Sequence, residues 1–349
     1  MTEKTTPLVT IGLTTFNRPD LLKESIQSVL NQKYTNYKLI IGNDYPKEKV
    51  TFKSLGIEPD SRIEIINYKE NIGELNNLNY LLSQASSEWF TWLSDDDLLH
   101  DFFLESLLET INHSNRNVCG IYSEYSTGIT PDQYFFDKPN HINSTQLTSI
   151  QFIADCVARN IRLLGTCGVL QTQKLKMIGG FPNLNNSSGI SRPAPYGDVL
   201  IQILLAAHGN INIVDSPLVF LRTHKESLSA SLLDYDEYIS AESNFLIELS
   251  RVCLSIGNEA YRDKCVYHMV NWFTKNEFSV LFRVTPNSKP ISFFQKFILL
   301  FKVLIYQIKV NYPRIKIRYW FSHTLNIILC VVKLFWQSLK QYLKFFLFR

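Results

Sequence analysis

Three consecutive aspartates, Asp95, Asp96 and Asp97, close an apolar, aromatic run in EWFTWLSDDDLLH, residues 88–100. Two carboxylates ~4 Å apart repel by about 4 kcal/mol at an effective dielectric of 20, so such a cluster needs compensation. A single aspartate after a strand is most simply a helix N-cap with solvated neighbours. Three in a row suit a cation site better. Hard divalent ions take oxygen ligands, and Mg²⁺ commonly uses one or two carboxylates together with substrate phosphates. Two further polar clusters follow apolar runs: TTFNR at 14–18 and GNDYP at 42–46.

The elements that must position these clusters alternate in type. LVTIGLTTF (8–16), YKLIIGND (37–44), RIEIINY (62–68) and EWFTWLS (88–94) read as strands, near-continuously apolar as expected when both faces are covered. NRPDLLKESIQSVLNQ (17–32) places Leu21, Leu22, Ile26, Val29 and Leu30 at helical spacing, with Asn17 near the cap and Pro19 in the first turn. NNLNYLLSQAS (76–86) reads as a second helix. The order predicts an α/β fold with parallel pairing and crossovers, in which ligands bind beyond the carboxyl ends of the strands. All three polar clusters then converge on one rim. Residues 101–120 read as a helix, 160–181 as a strand, a turn and a short helix ending at a glycine pair, and 198–209 as a helix with a glycine stop. The stretch 182–197, rich in Asn, Ser, Gly and Pro, reads as a loop able to close over a ligand or to play no part. Two more helices are predicted over 233–276, and 284–290 is the best linker.

Composition narrows the chemistry. Neither GxxxxGK[ST] nor GxGxxG is present, so a nucleotide site here is built from carboxylates and strand-end loops. The six cysteines are scattered without zinc spacing, which fits a reduced, cytoplasmic setting, and the N-terminal run is not that of a signal peptide. The net charge of +3 hides a split: 12 of the 35 Lys and Arg lie beyond Glu277, where no acidic residue occurs. The preceding part therefore holds 23 basic against 32 acidic residues. In the tail, Lys296, Lys302, Lys309 and Lys316, then Lys333, Lys340 and Lys344, alternate with FILLF, VLIYQI and LFWQSL. Bases without acids among so many aromatic and aliphatic residues predict amphipathic helices over 286–349 lying on an anionic membrane surface. The same apolar load argues against nucleic acid. Lys333 and His323 interrupt the one stretch, 319–339, long enough to span a bilayer.

VTIGLTTFNRPDLLKESIQSVLNQ, YKLIIGND, NIG and WLSDDDLL, in this order, resemble the nucleotide-sugar half of the family 2, GT-A fold glycosyltransferases of bacterial surface-polysaccharide assembly. GGF (179–181), YGDVLIQILLAAHG and LVFLRTHKESLS resemble that family's second half. The resemblance implies a mixed, mainly parallel sheet with flanking helices over 1–230, a helical continuation over 231–283, and the basic helical extension over 284–349. It places Thr14, Thr15, Asn17 and Arg18 in the nucleotide pocket. Asn43 or Asp44 would read the base, a departure from the family's paired aspartates. Asn71 and Gly73 would form the turn before the helix, and Asn79 would face the nucleotide. Asp95 would hold ribose or metal, Asp96 and Asp97 with His224 the Mg²⁺ or Mn²⁺, and Asp198 would be the base. The implied activity is metal-dependent, inverting transfer from a nucleotide sugar, a UDP-sugar above others, to a glycan or lipid-linked glycan. A nucleotidyltransferase making activated sugars and a non-catalytic sugar-binding scaffold are the alternatives. The implied location is the cytoplasmic face of the cell membrane.

Overall fold

A computed structural model describes residues 8–112, 117–132, 135, 137, 143–161, 163–184, 196–223 and a set of helical residues between 241 and 268. The expected linker, the basic tail and most of the helical continuation lie outside the described residues. The chain divides into two compact units, 1–252 and 253–349. In the second, Asn258 starts a helical turn by accepting the Ala260 and Tyr261 N–H groups at 3.1 and 3.2 Å.

The first unit begins with β1 (Val9–Thr15), α1 (Pro19–Leu30), β2 (Tyr37–Asn43), a four-residue α2 (Phe52–Leu55), β3 (Ile63–Asn67), α3 (Glu74–Gln84) and β4 (Trp89–Ser94). β3, β2, β1 and β4 lie side by side and run parallel. All seven residues of β1 are buried, because helices cover both faces. On one face Val9, Ile11 and Leu13 join Leu22, Ile26 and Val29 of α1 and Leu104 and Leu107 of α4 (Phe103–Asn112) in the main core. On the other, Gly12 admits the Phe90 ring and Leu81 of α3, whose atoms stand 3.0 and 3.3 Å from the place a Cβ would take. Pro19 opens α1, with Arg18 rather than Asn17 at the N-cap.

The second half is β5 (Leu98–Leu99), α4, β6 (Val118–Gly128), β7 (Ser144–Leu147), α5 (Ser149–Ala158), a 3-10 turn at Gly165–Cys167, β8 (Gly168–Gln171), α6 (Thr172–Met177), α7 (Gly197–Ala206) and β9 (Asn210–Arg222). β8 runs antiparallel between β4 and β6 and makes one mixed sheet, ordered β3-β2-β1-β4-β8-β6-β9-β5, with β7 on β9. The α/β expectation holds. The helix expected over 101–120 is shorter: Val118, Cys119 and Gly120 already belong to β6, where all three are buried.

The sheet face under α3 is closed by an amide. Asn77 donates to the Gly42 carbonyl at 2.8 Å and accepts from the Tyr68 hydroxyl at 3.0 Å. A Cβ on Gly42 would sit 2.0 Å from the Asn77 Oδ1. Gly42→Ala is therefore expected to cost about 1–3 kcal/mol, read as a lower urea midpoint of the full chain. Asn77→Ala also destabilises, by stranding a buried carbonyl. The double variant should lose less than the sum, because both changes break one contact. Strict additivity would show that the two residues are not coupled.

Candidate active site at the sheet rim

Register brings the three polar clusters level. Thr14 pairs with Ser94 and Thr15 with Asn43, so β1, β2 and β4 end together. Beyond them the Asp95 carboxylate accepts from the Thr15 hydroxyl at 2.7 Å, the Phe16 N–H at 3.2 Å and Arg18 Nη1 at 3.0 Å. The same Arg18 nitrogen donates to Asp96 Oδ2 at 3.0 Å. One guanidinium at the start of α1 thus offsets two carboxylates. Asp97 is engaged from the other side: its Oδ1 accepts the Arg222 N–H at 3.0 Å, and Arg222 Nε donates to the Asp96 carbonyl at 3.0 Å. Arg222 also pairs with Glu24 at 2.5 Å, and the Ser25 hydroxyl donates to the Asp97 carbonyl at 2.7 Å. The cap-and-solvent alternative fails on two counts. The next helix begins only at Phe103, after β5, and Asp95, Asp96 and Asp97 are 4, 8 and 9 % exposed.

Burial dominates the electrostatics. It raises the Asp95 carboxyl against the opposing pull of Thr15 and Arg18. It pushes Asp97 up to about 8, with help from the Asp96 charge. Glu74, first residue of α3, is pushed up to about 7 by burial and by Asp95, Asp96 and Asp198. Asp198, in the first turn of α7, is raised by burial while a Gly165 N–H bond to its carboxylate works the other way. Glu74 thus feels the charge of both the rim aspartates and Asp198. The sequence offered one signal for it, an acidic residue in a first helical turn, and that signal serves the helix dipole equally well.

The remaining expected donor residues divide by what they hold. Asp44 accepts the Ile72 and Gly73 N–H groups at 2.7 and 2.8 Å, and Asn71 Oδ1 accepts from Gly73 at 3.0 Å. Together they shape the turn into α3, where Gly73 has φ 84°. Asn43 is committed to its own loop: Nδ2 donates to the Glu48 carbonyl and to Asn67 Oδ1, both at 2.8 Å, and Oδ1 accepts from Tyr45 at 3.1 Å. Asn79 clamps the GGF turn, donating to the Phe181 carbonyl at 3.0 Å and accepting its N–H at 2.8 Å. Thr14 is buried at the end of β1, and Asn17 is exposed with φ 57°. Phe16, 46 % exposed, meets the Tyr45 ring edge-on at 5.2 Å beside the same rim. His224 and residues 185–195 of the expected loop lie outside the described residues. Arg222, which the sequence reading passed over, ties the aspartate loop to β9 and α1. Among the described residues no three His, Cys, Asp or Glu side chains form a group able to hold a metal alone. Asp95 and Asp96, hard oxygen donors on one loop, fit a Mg²⁺ or Mn²⁺ ion that completes its shell with diphosphate and water.

Residues 10–158 match the model of glycosyl transferase family 2. An uncharacterized glycosyltransferase of Rickettsia typhi is 32 % identical over 145 residues, 41 % of this chain and 45 % of that protein. A Campylobacter jejuni GalNAc(5)-diNAcBac-PP-undecaprenol beta-1,3-glucosyltransferase is 31 % identical over 116 residues, 33 % of this chain and 38 % of its own length. The matched part thus spans less than half of these relatives. The crystal structure of S. aureus TarS 1-349 in complex with UDP-GlcNAc superposes with a TM-score of 0.56 at 14 % identity, over 93 % of this chain and 81 % of that one, a likeness of fold. The carboxylate rim at the ends of β1, β2 and β4 falls inside the stretch, residues 10–158, that is similar to glycosyl transferase family 2.

Proposed function

We propose that this protein is an inverting, metal-dependent glycosyltransferase that moves a sugar from a UDP-sugar to a glycan or lipid-linked glycan acceptor. The observation that carries the reading is the Arg18–Asp95–Asp96 arrangement at the strand ends, electrostatically joined through Glu74 to Asp198. The relatives' names support it: the C. jejuni enzyme is named for a polyprenol-linked acceptor, and TarS carries UDP-GlcNAc.

In this reading the exposed Phe16 ring stacks on the base beside Tyr45, and Thr15 and Arg18 position Asp95 and Asp96. Mg²⁺ or Mn²⁺ held by Asp96 with Asp95 would supply Lewis-acid charge to the leaving diphosphate. Asp198 accepts the proton of the acceptor hydroxyl as its oxygen bonds to the anomeric carbon and the sugar–phosphate bond breaks. Attack from the side opposite the leaving group inverts the centre. The Gly165 N–H aims the Asp198 carboxylate, and burial strengthens it as a base.

The test is a panel of UDP-sugars with Mn²⁺, Mg²⁺ or chelator. UDP should raise the melting temperature only with metal, and Asp96→Ala should abolish the shift. Asp198→Asn should keep the UDP shift while losing ~100- to 10,000-fold in transfer. Pyrophosphate release would instead indicate a nucleotidyltransferase, and sugar binding without turnover a scaffold.

Burial raises the Asp198 carboxyl above the ordinary aspartate value, and the Gly165 N–H only partly offsets this. The acid limb of kcat/KM should therefore lie above the ordinary aspartate value, with activity rising as pH rises through it. A limb near pH 4 would remove Asp198 from the base role.

The basic segment 286–349 is proposed to hold the enzyme peripherally on the inner face of the membrane. Among the described residues no helix is long and apolar enough to cross one. Deleting 286–349 should end co-sedimentation with anionic phosphatidylglycerol vesicles. Unchanged sedimentation would place the anchor elsewhere.

A further inference from the structure

Among the described residues, Asn17, Arg159 and Tyr196 are the non-glycine residues with positive φ. Asparagine tolerates that conformation. Arg159 stops α5, where left-handed residues are common. Neither reason covers Tyr196, which opens α7 at φ 69° and ψ −1° without a side-chain cap bond. Such a conformation in a bulky residue persists only where the surroundings impose it. The Tyr196 ring lies stacked on Phe245, with centroids 5.0 Å apart and planes at 25°. Phe245 is itself fixed: Ala241, Phe245 and Leu249 follow one another at four-residue helical spacing, and all three are buried. The residue before it, Asn244, donates to the Leu184 carbonyl at 2.9 Å. The Tyr196 carbonyl accepts the Leu200 N–H at 2.9 Å, so the dihedrals of Tyr196 set the direction in which α7 departs. One turn on, Gln202 donates to the Leu163 carbonyl at 3.0 Å. Asp198 lies between these two holds, and its Cγ is 3.5 Å from the place a Cβ on Gly165 would take.

We infer that Tyr196, held left-handed by its stack on Phe245, is a positioning residue that aims the Asp198 carboxylate at the acceptor hydroxyl. The inference rests on the reading of Asp198 as the base. Gly165 supplies the wall beside the carboxylate, and Tyr196 supplies the course of the chain that carries it. Glycine at 196 separates positioning from plain stability. It takes a left-handed φ without Cβ crowding, so Tyr196→Gly removes the strain together with the ring. A ring that served the fold alone would leave the rate unchanged once the chain is folded. A ring that aims α7 would, on removal, let the carboxylate leave its line of attack. The donor, held at the ends of β1 and β4, would bind as before.

The experiment measures UDP release by the full chain with Mn²⁺ from UDP-glucose, UDP-galactose and UDP-N-acetylglucosamine, water standing in for the acceptor. Tyr196→Gly should lower kcat about 10- to 100-fold while KM for the UDP-sugar stays within about 2-fold. Its rise in melting temperature with UDP should match that of wild type. Tyr196→Phe, which keeps the stack, should hold kcat within about 2-fold of wild type. Phe245→Leu keeps apolar bulk without the flat ring, and should lower kcat with KM unchanged; it carries the same test if glycine at 196 unfolds the chain. In an Asp198→Asn background Tyr196→Gly should cost nothing further, because both changes act through one carboxylate. Undiminished kcat in Tyr196→Gly and Phe245→Leu would overturn the inference. So would a loss confined to KM, a Tyr196→Phe enzyme as slow as Tyr196→Gly, or a full further loss on top of Asp198→Asn. Wild-type kcat in Asp198→Asn would overturn the base reading, and release of UDP from none of the three by wild type would overturn the UDP-sugar reading; this inference would fall with either.

Discussion

Charge compensation at the ends of β1 and β4 is the constraint on which the rest of this site depends. Buried carboxylates side by side, Asp95 and Asp96 above all, would repel if left alone. Arg18 bridges Asp95 and Asp96 at 3.0 Å, and Arg222 takes the Asp96 carbonyl and the Asp97 carboxylate. The two arginines come from opposite ends of the fold, one at the start of α1 and one at the end of β9. The rim therefore closes only when both halves of the sheet are in place. Breaking one arm of such a cluster leaves an uncompensated buried charge, which is far more costly than losing a surface ion pair. Arg18 is also the group best placed to exchange partners. Its guanidinium occupies the same two carboxylates that the proposed divalent ion would use, so on that proposal it would have to yield or share at least one of them.

How much was legible follows from how local each feature is. The parallel half, β1 to β4, was readable because apolar runs, helical spacing and strand-end polar clusters recur within short windows. The helices α2 and β5's two-residue bridge are too short to carry a period. β9 was visible only at its apolar end, LVFLR. Its middle holds Asp215, Ser216 and Pro217, and proline normally argues against an interior strand. The ladder tolerates it through register shifts against β6 around Glu124, which pairs with Pro217. The insertion of β8 between β4 and β6 is a pairing across some 80 residues, which no local pattern encodes. Glu74 and Arg222 went unread for the same reason. Their partners are set by topology, and a first-turn glutamate and a strand-end arginine look ordinary on their own.

The residues expected to contact the donor show a second limit. Asn43, Asp44 and Asn79 lie where the family pattern puts donor-facing groups, yet their side chains make backbone bonds that shape the loops around the rim. A motif identifies which positions matter without saying whether they touch ligand or hold what does. Buried amides with both ends satisfied specify one geometry, because any alternative strands a polar group.

That geometry links the aspartate rim and Asp198 through one run of packing. α3 is pinned at its start by Asp44 and along its length by Asn79, which holds the Phe181 backbone. The Phe181 ring meets Trp92 edge-on at 4.8 Å, and the Trp92 carbonyl accepts the Thr166 hydroxyl at 2.9 Å. Next to Thr166 is Gly165, where a Cβ would meet the Trp92 ring at 2.5 Å, so only glycine lets that backbone lie on the indole. The Gly165 N–H then reaches Asp198. Glu74 and Asp198, on different helices 124 positions apart, thereby rest on one scaffold with few degrees of freedom. The proposed in-line displacement would need such a scaffold, since a misplacement of about 1 Å can cost ~100-fold in rate. Trp92, buried in β4, is thus also the surface against which the proposed base is positioned.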